Sequence, residues 1–226
     1  FDKILIKLTE INSNTKKLFI VTSNEISVYD GQNSTILTRT SAINTSYYNQ
    51  GLNKLYVVTN DGLYTLLENE LKPISLRRIN LNTDKISAIT FTDNRLFLGT
   101  ASGELYVYDV IDENKTRTVL EFDGKIVLHR SEITKLFYDQ SNDNLYSASF
   151  DNKVLKYNTT LKELSKITNS AISLTGHQKW VWDINLIQDQ KGNYLVVTAD
   201  ENGNLLSWFD KIGKLVEKVE LLVLKN

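Results

Sequence analysis

One short strand-and-turn unit returns five times along this chain, and that return limits the possible folds more than any other feature. The runs are Lys17-Leu18-Phe19-Ile20-Val21-Thr22, Lys54-Leu55-Tyr56-Val57-Val58-Thr59, Arg95-Leu96-Phe97-Leu98-Gly99-Thr100, Asn144-Leu145-Tyr146-Ser147-Ala148-Ser149 and Tyr194-Leu195-Val196-Val197-Thr198. On their shared leucines (Leu18, Leu55, Leu96, Leu145 and Leu195) they recur every 37 to 50 residues. β-Branched and aromatic side chains suit a pleated, packed surface, and Asn, Asp, Gly and Ser bound each run as turn residues do. A further strand follows each run, at Ile26 to Asp30, Leu63 to Leu67, Leu105 to Asp109, Val154 to Tyr157 and Leu205 to Asp210. Asp61-Gly62, Ser102-Gly103 and Asn202-Gly203 supply the positive φ that tight hairpins demand. A more polar outer strand, as at Thr35 to Thr40 and Leu215 to Leu224, completes the unit, and Ile4 to Leu8 opens the chain as a first strand.

A unit of this size cannot bury both faces of its own sheet, so neighbouring units must stack. The predicted fold is all-β: a β-propeller of about five four-stranded antiparallel blades. They fall at about 1–40, 41–81, 82–127, 128–175 and 176–226, within a single domain. No sequence element closes the last blade onto the first. Either five blades close by side-chain packing, or they belong to a larger ring. The chain begins at Phe1 and contains no Met, which favours a fragment or processed product of a longer protein.

Composition excludes several function classes. Lys plus Arg number 26 against 27 Asp plus Glu, so nothing draws the chain toward nucleic acid or an anionic membrane. No Cys is present, which removes disulfides and thiol chemistry and fits a reducing, cytoplasmic setting. No apolar run approaches the roughly 18 residues of a membrane span. Asn-x-Ser/Thr triplets at Asn33, Asn44, Asn114 and Asn158 are what chance gives in so Asn-rich a chain.

The last two repeats carry a finer pattern. Blade five holds Gly176-His177, then Thr198-Ala199-Asp200, then Trp208; blade four holds His129, Ser149-Phe150-Asp151 and Tyr157. These resemble the WD40-type repeat, in which Gly-His precedes a first strand, Ser-x-Asp ends a second and Trp-Asp ends a third. The resemblance is clear over residues 129–210 and weaker over 1–128. There Asn82 stands in the His position, Ser102 in the Asp position, and Leu67 ends a third strand. Thr59-Asn60-Asp61-Gly62-Leu63-Tyr64 is also similar to bacterial sensor propellers. The resemblance implies a structural hydrogen-bond network of His129, Ser149, Asp151 and Tyr157 in one blade, and of His177, Thr198, Asp200 and Trp208 in the next. Truncating a member of such a network costs about 1–3 kcal/mol through the groups left unpaired.

His129 and His177 are the only histidines and sit one blade apart, which argues for these structural roles and against a shared metal. No phosphate loop, zinc signature or independent Ser-His-Asp set is present, and no cofactor is expected. Lys179-Trp180-Val181-Trp182-Asp183 is different. With Val181 packed inward like Ile133 and Ile86, Trp180 falls just before its strand, a position that the resemblance places on the top face at the channel mouth. Glu132 and Lys85 are its equivalents, Lys179 adjoins it, and Phe150 takes another partner-facing position. Trp182 is read as core. The chain is therefore expected to be a non-enzymatic scaffold that binds protein or peptide through Trp180, Phe150, Lys179, Glu132 and Lys85, as a sensor or regulatory segment of a multidomain protein. A receptor-type propeller with a small molecule or glycan in its channel is the alternative, and a propeller enzyme a remote one.

Overall fold

Each repeated run becomes the second strand of a sheet, flanked by the strands before and after it. The computed structural model describes residues 5–12, 17–40, 42–50, 52–78, 81–92, 94–113, 117–160, 163–209 and 214–220. Ile4, Asn114, Asp210 and the stretch 221–224 lie outside these described residues.

Sheet one runs Leu5–Asn12, Lys17–Thr22, Glu25–Tyr29 and Ser34–Arg39, and sheet two Ile43–Asn49, Lys54–Thr59, Gly62–Leu67 and Glu70–Pro73. Sheet three orders Ile86–Phe91, Arg95–Thr100, Glu104–Glu113 and Thr118–Val127, then adds Ser75–Arg77 in parallel along the last of these. Sheet four comprises Ile133–Asp139, Asn144–Ser149, Val154–Asn158 and Ile172–Leu174, with the helix Leu164–Asn169 between its last two strands. Sheet five comprises Val181–Gln188, Tyr194–Asp200, Asn204–Phe209 and Lys214–Glu220. Sheets one, two, four and five are antiparallel meanders in chain order.

The chain divides into two compact units, Phe1–Leu96 with Val107–Asp123, and Phe97–Tyr106 with Gly124–Asn226. In the first unit, Phe19, Val21 and Ile26 of sheet one share a core with Ile43, Tyr48, Leu55 and Val57 of sheet two. In the second, Tyr146, Ala148 and Val154 of sheet four meet Val181, Ile184, Val196, Leu206 and Trp208 of sheet five. The two-residue pleat explains these lists: Tyr146 and Ala148 point to one face of their strand, and Leu145, Ser147 and Ser149 to the other. Lys54–Thr59 and Asn144–Ser149 are buried along their whole length, as strands covered on both faces are. Each fully buried Val, Leu, Ile or Phe side chain contributes about 1.5–3 kcal/mol.

Strand pairing corrects the alignment of the fifth run. Leu145 pairs Tyr157, and Val196 pairs Trp208, so the counterpart of Leu145 is Val196 and not Leu195. A bulge also interrupts the first strand of sheets two, four and five at the same place, after Ile43, Ile133 and Val181. The extra residue escapes the ladder and reaches outward. Thr134 thereby donates its hydroxyl to the Val181 carbonyl at 2.6 Å, and Asn44 donates its amide to the Thr83 carbonyl at 2.9 Å.

Candidate functional site

In sheet five the chain enters through Gly176, whose φ of +149° favours glycine and where a Cβ would lie 2.6 Å from Leu206. That entry folds His177 under the sheet end, with its ring fully buried. Nδ1 lies 2.9 Å from Asp200 Oδ2, and Nε2 2.6 Å from Thr198 Oγ1. Burial holds the imidazole below its ordinary pKa despite the facing Asp200. Burial pushes the Asp200 carboxyl up, but the donors from His177 and Asn204 outweigh it and hold the group below the usual range. An ionised carboxylate only accepts, so Nδ1–H donates to Asp200; in the neutral ring Nε2 then accepts, and the Thr198 hydroxyl donates to it. Asn204 adds two bonds from its side-chain amide to Asp200, at 3.0 and 2.9 Å, and one from its backbone N–H.

Sheet four repeats the device with different atoms. Gly103 accepts the N–H groups of Leu128 and His129 and so fixes the loop into this sheet. His129 Nδ1 sits 3.1 Å from both Asp151 oxygens, and Nε2 sits 2.7 Å from Ser147 Oγ. Ser149, expected in the His129 network, does not bond the ring. Its Oγ donates to the Ser131 carbonyl at 3.3 Å and accepts the Asp151 N–H at 3.1 Å, bracing the turn. Register gives the reason: Ile133 pairs Ser149 and Val181 pairs Asp200, so Thr198 corresponds to Ser147, and Asp200 stands where Ser149 does. The acid therefore comes from the turn in sheet four and from the strand end in sheet five.

The two aromatic members differ. Tyr157 and Trp208 are both buried; the Tyr157 hydroxyl faces the Ser147 side chain, whereas Trp208 Nε1 has no hydrogen-bond partner among the described residues. Trp208 contributes instead by packing its ring 5.6 Å from that of His177. In sheets one and two, Ile20 and Val57 occupy the position of Ser147, and Val57 is buried; an apolar contact there replaces the polar one.

A second assembly lies at the strand-start end of sheets four and five. Phe150 and Trp180 stack with ring centres 4.7 Å apart, and Trp182 meets Phe150 edge-on, also at 4.7 Å. Trp180 remains 45% exposed and Trp182 50%. Trp182 is thus not core, because the bulge after Val181 turns it out of the pleat. Lys179 is exposed and Glu132 half-buried beside this cluster in sequence. Lys85 is exposed at the end of the turn Thr83–Lys85, in the other compact unit. Ser147, Asn204 and Trp182 are the residues that sequence reasoning missed. The spacing Ser147-Ala148-Ser149 held a signal for the first, since both serines share a strand face.

No family model matches the chain. A stretch of 88 residues is 34% identical to an Arabidopsis thaliana protein named non-functional target of rapamycin complex subunit LST8-2, over 38% of this chain and 26% of that one. A chain in the crystal structure of the mitotic checkpoint complex superimposes with a TM-score of 0.71 at 17% identity, covering 96% of this chain and 65% of its own length. The computationally designed Ika8 protein gives a TM-score of 0.63 at 18% identity, covering 95% of this chain and 61% of its own. The chain therefore spans less than two thirds of the length of each of these three proteins. By fold the chain is an all-β protein of β-propeller type, and these likenesses are to WD40-type repeat proteins.

Proposed function

We propose that this chain is a non-enzymatic scaffold that captures a protein or peptide partner through Phe150, Trp180 and Trp182, with Lys179 and Glu132 at their margin. In this reading it serves as a regulatory or sensor segment of a larger protein, five repeats forming one propeller domain. Likeness to WD40-type subunits of protein complexes supports a protein-interaction role. Both nitrogens of each histidine are committed to buried bonds, which supports a structural rather than catalytic use of these rings.

The single observation that carries the reading is the exposed three-ring cluster. Two half-exposed indoles gathered on one phenyl ring are costly to leave in water, and rigid aromatic anchors dominate interface energies. The test compares captured proteins, identified by mass spectrometry, for the parent chain and Trp180→Ala. Trp180→Ala should lose a defined partner while melting within about 2 °C of the parent, as a half-exposed side chain predicts. An identical partner set from both chains refutes the reading.

A further inference from the structure

The cluster has a chemical frame that narrows what it can hold. Glu132 and Trp180 occupy one equivalent position, each just before a first strand; Phe150 and Glu201 occupy another, each opening the turn after a second strand. Main-chain bonds tie each pair: the Phe150 N–H donates to the Glu132 carbonyl at 3.0 Å, and the Glu201 N–H to the Trp180 carbonyl at 2.9 Å. Acid and ring are thus exchanged between adjacent sheets. With Phe150 stacked on Trp180, the ring of each main-chain pair meets the ring of the other.

Glu132 is the group in need of a partner. It is half-buried, burial raises its pKa, and its carboxylate has no hydrogen-bond or ion-pair partner among the described residues. The nearby bases do not have that need: Lys135 is paired with Asp183 at 2.7 Å, while Arg130 and Lys179 are exposed to water. A ligand that supplies N–H donors to Glu132 and a flat cationic face to an indole answers both features at once.

We infer that this end of sheets four and five takes an arginine side chain from an extended segment of the partner protein, the guanidinium lying on the Trp180 indole and donating to Glu132. Arginine suits the site better than lysine because its planar group stacks on aromatic faces and sheds water more readily. A carboxylate at Glu132 opposes the phosphates of a nucleic acid or an anionic membrane. The inference rests on the aromatic cluster being the partner face.

The experiment uses the full chain and fluorescently labelled octapeptide pools, with a central arginine, citrulline, leucine or glutamate among randomised neutral residues, read by anisotropy. The arginine pool should bind roughly tenfold more tightly than the citrulline pool, as loss of a charge-assisted bond implies. Glu132→Gln should bring the two pools within about threefold of each other, and Trp180→Ala should abolish both. Equal binding of arginine and citrulline pools, or preference for leucine or glutamate, overturns the arginine assignment, as does failure of every pool to bind. If Trp180→Ala still abolishes whatever binding is found, the aromatic partner face stands without its arginine. If Trp180→Ala leaves every pool bound, that face falls too. Thermal melts of both variants separate these outcomes from misfolding.

Discussion

Replacing Thr198 by Val tests the sheet-five network at a single atom. The change exchanges a hydroxyl for a methyl at a site only 1% exposed, so no appreciable cavity opens. It leaves His177 Nε2 fully buried without the hydroxyl it meets at 2.6 Å. An unpaired buried acceptor costs about 1–3 kcal/mol. The added methyl returns about 0.8 kcal/mol of apolar burial, leaving a net loss of about 0.2–2.2 kcal/mol, centred near 1.2 kcal/mol. Urea unfolding followed by circular dichroism would register this as a midpoint lowered by roughly 0.5 M, for a slope near 2–3 kcal/mol/M. The decisive comparison repeats the change in a His177→Phe background. With no ring nitrogen to satisfy, Thr198→Val should there cost nothing or stabilise the chain, so the two substitutions must be strongly non-additive. A Thr198→Val chain within about 0.3 kcal/mol of the parent, or an equal loss in both backgrounds, refutes the argument that the hydroxyl acts through the imidazole.

Acid should destabilise the protein in two stages. Both imidazoles are held below the ordinary value of 6.5, so near that pH the unfolded chain binds protons that the folded chain refuses. Their contribution is complete above pH 6.5 and is lost as pH falls below it, by about 1.4 kcal/mol for each unit of depression. Asp151 and Asp200, held below 3.8, add a further loss beneath that pH. Melting temperatures measured from pH 8 to 5 should fall, and a rise on acidification contradicts the assignment. Gly103→Ala should cost far more than Gly31→Ala. Both glycines have positive φ, worth about 1 kcal/mol to an alanine. Only at Gly103 would a Cβ lie 2.2 Å from the His129 carbonyl, whereas nothing lies within 4 Å at Gly31. Equal losses of melting temperature would remove the close approach as the reason for Gly103.

How much was legible follows from which interactions are local. Strand identity was readable because β-branched and aromatic runs bounded by turn residues carry their own preference, and five such runs appear as the second strands of five sheets. Inward packing of Ile86, Ile133 and Val181 followed from the same pattern, and all three are buried. The choice between Ser147 and Ser149 was not readable. Both lie on one face of the strand, so the two-residue period cannot separate them. Only the depth to which the His129 loop descends selects the hydroxyl that meets Nε2. Asp151 and Asp200 were both named from the sequence, but not that one sits in a turn and the other at a strand end, from which both reach Nδ1 of the local histidine.

Trp182 shows where reading one segment alone fails. The sequence reading assigns it to the core, but the bulge between Val181 and Asp183 inserts one unpaired residue and turns the indole outward onto Phe150. A bulge depends on how many residues oppose one another across two strands, a property of the pair and not of either segment. The amino-acid sequence by itself determined the strands, their repeat and the residues able to build polar props. Tertiary structure decided which hydroxyl each imidazole meets and which rings share a surface, because those outcomes depend on register between strands brought together only in the folded chain.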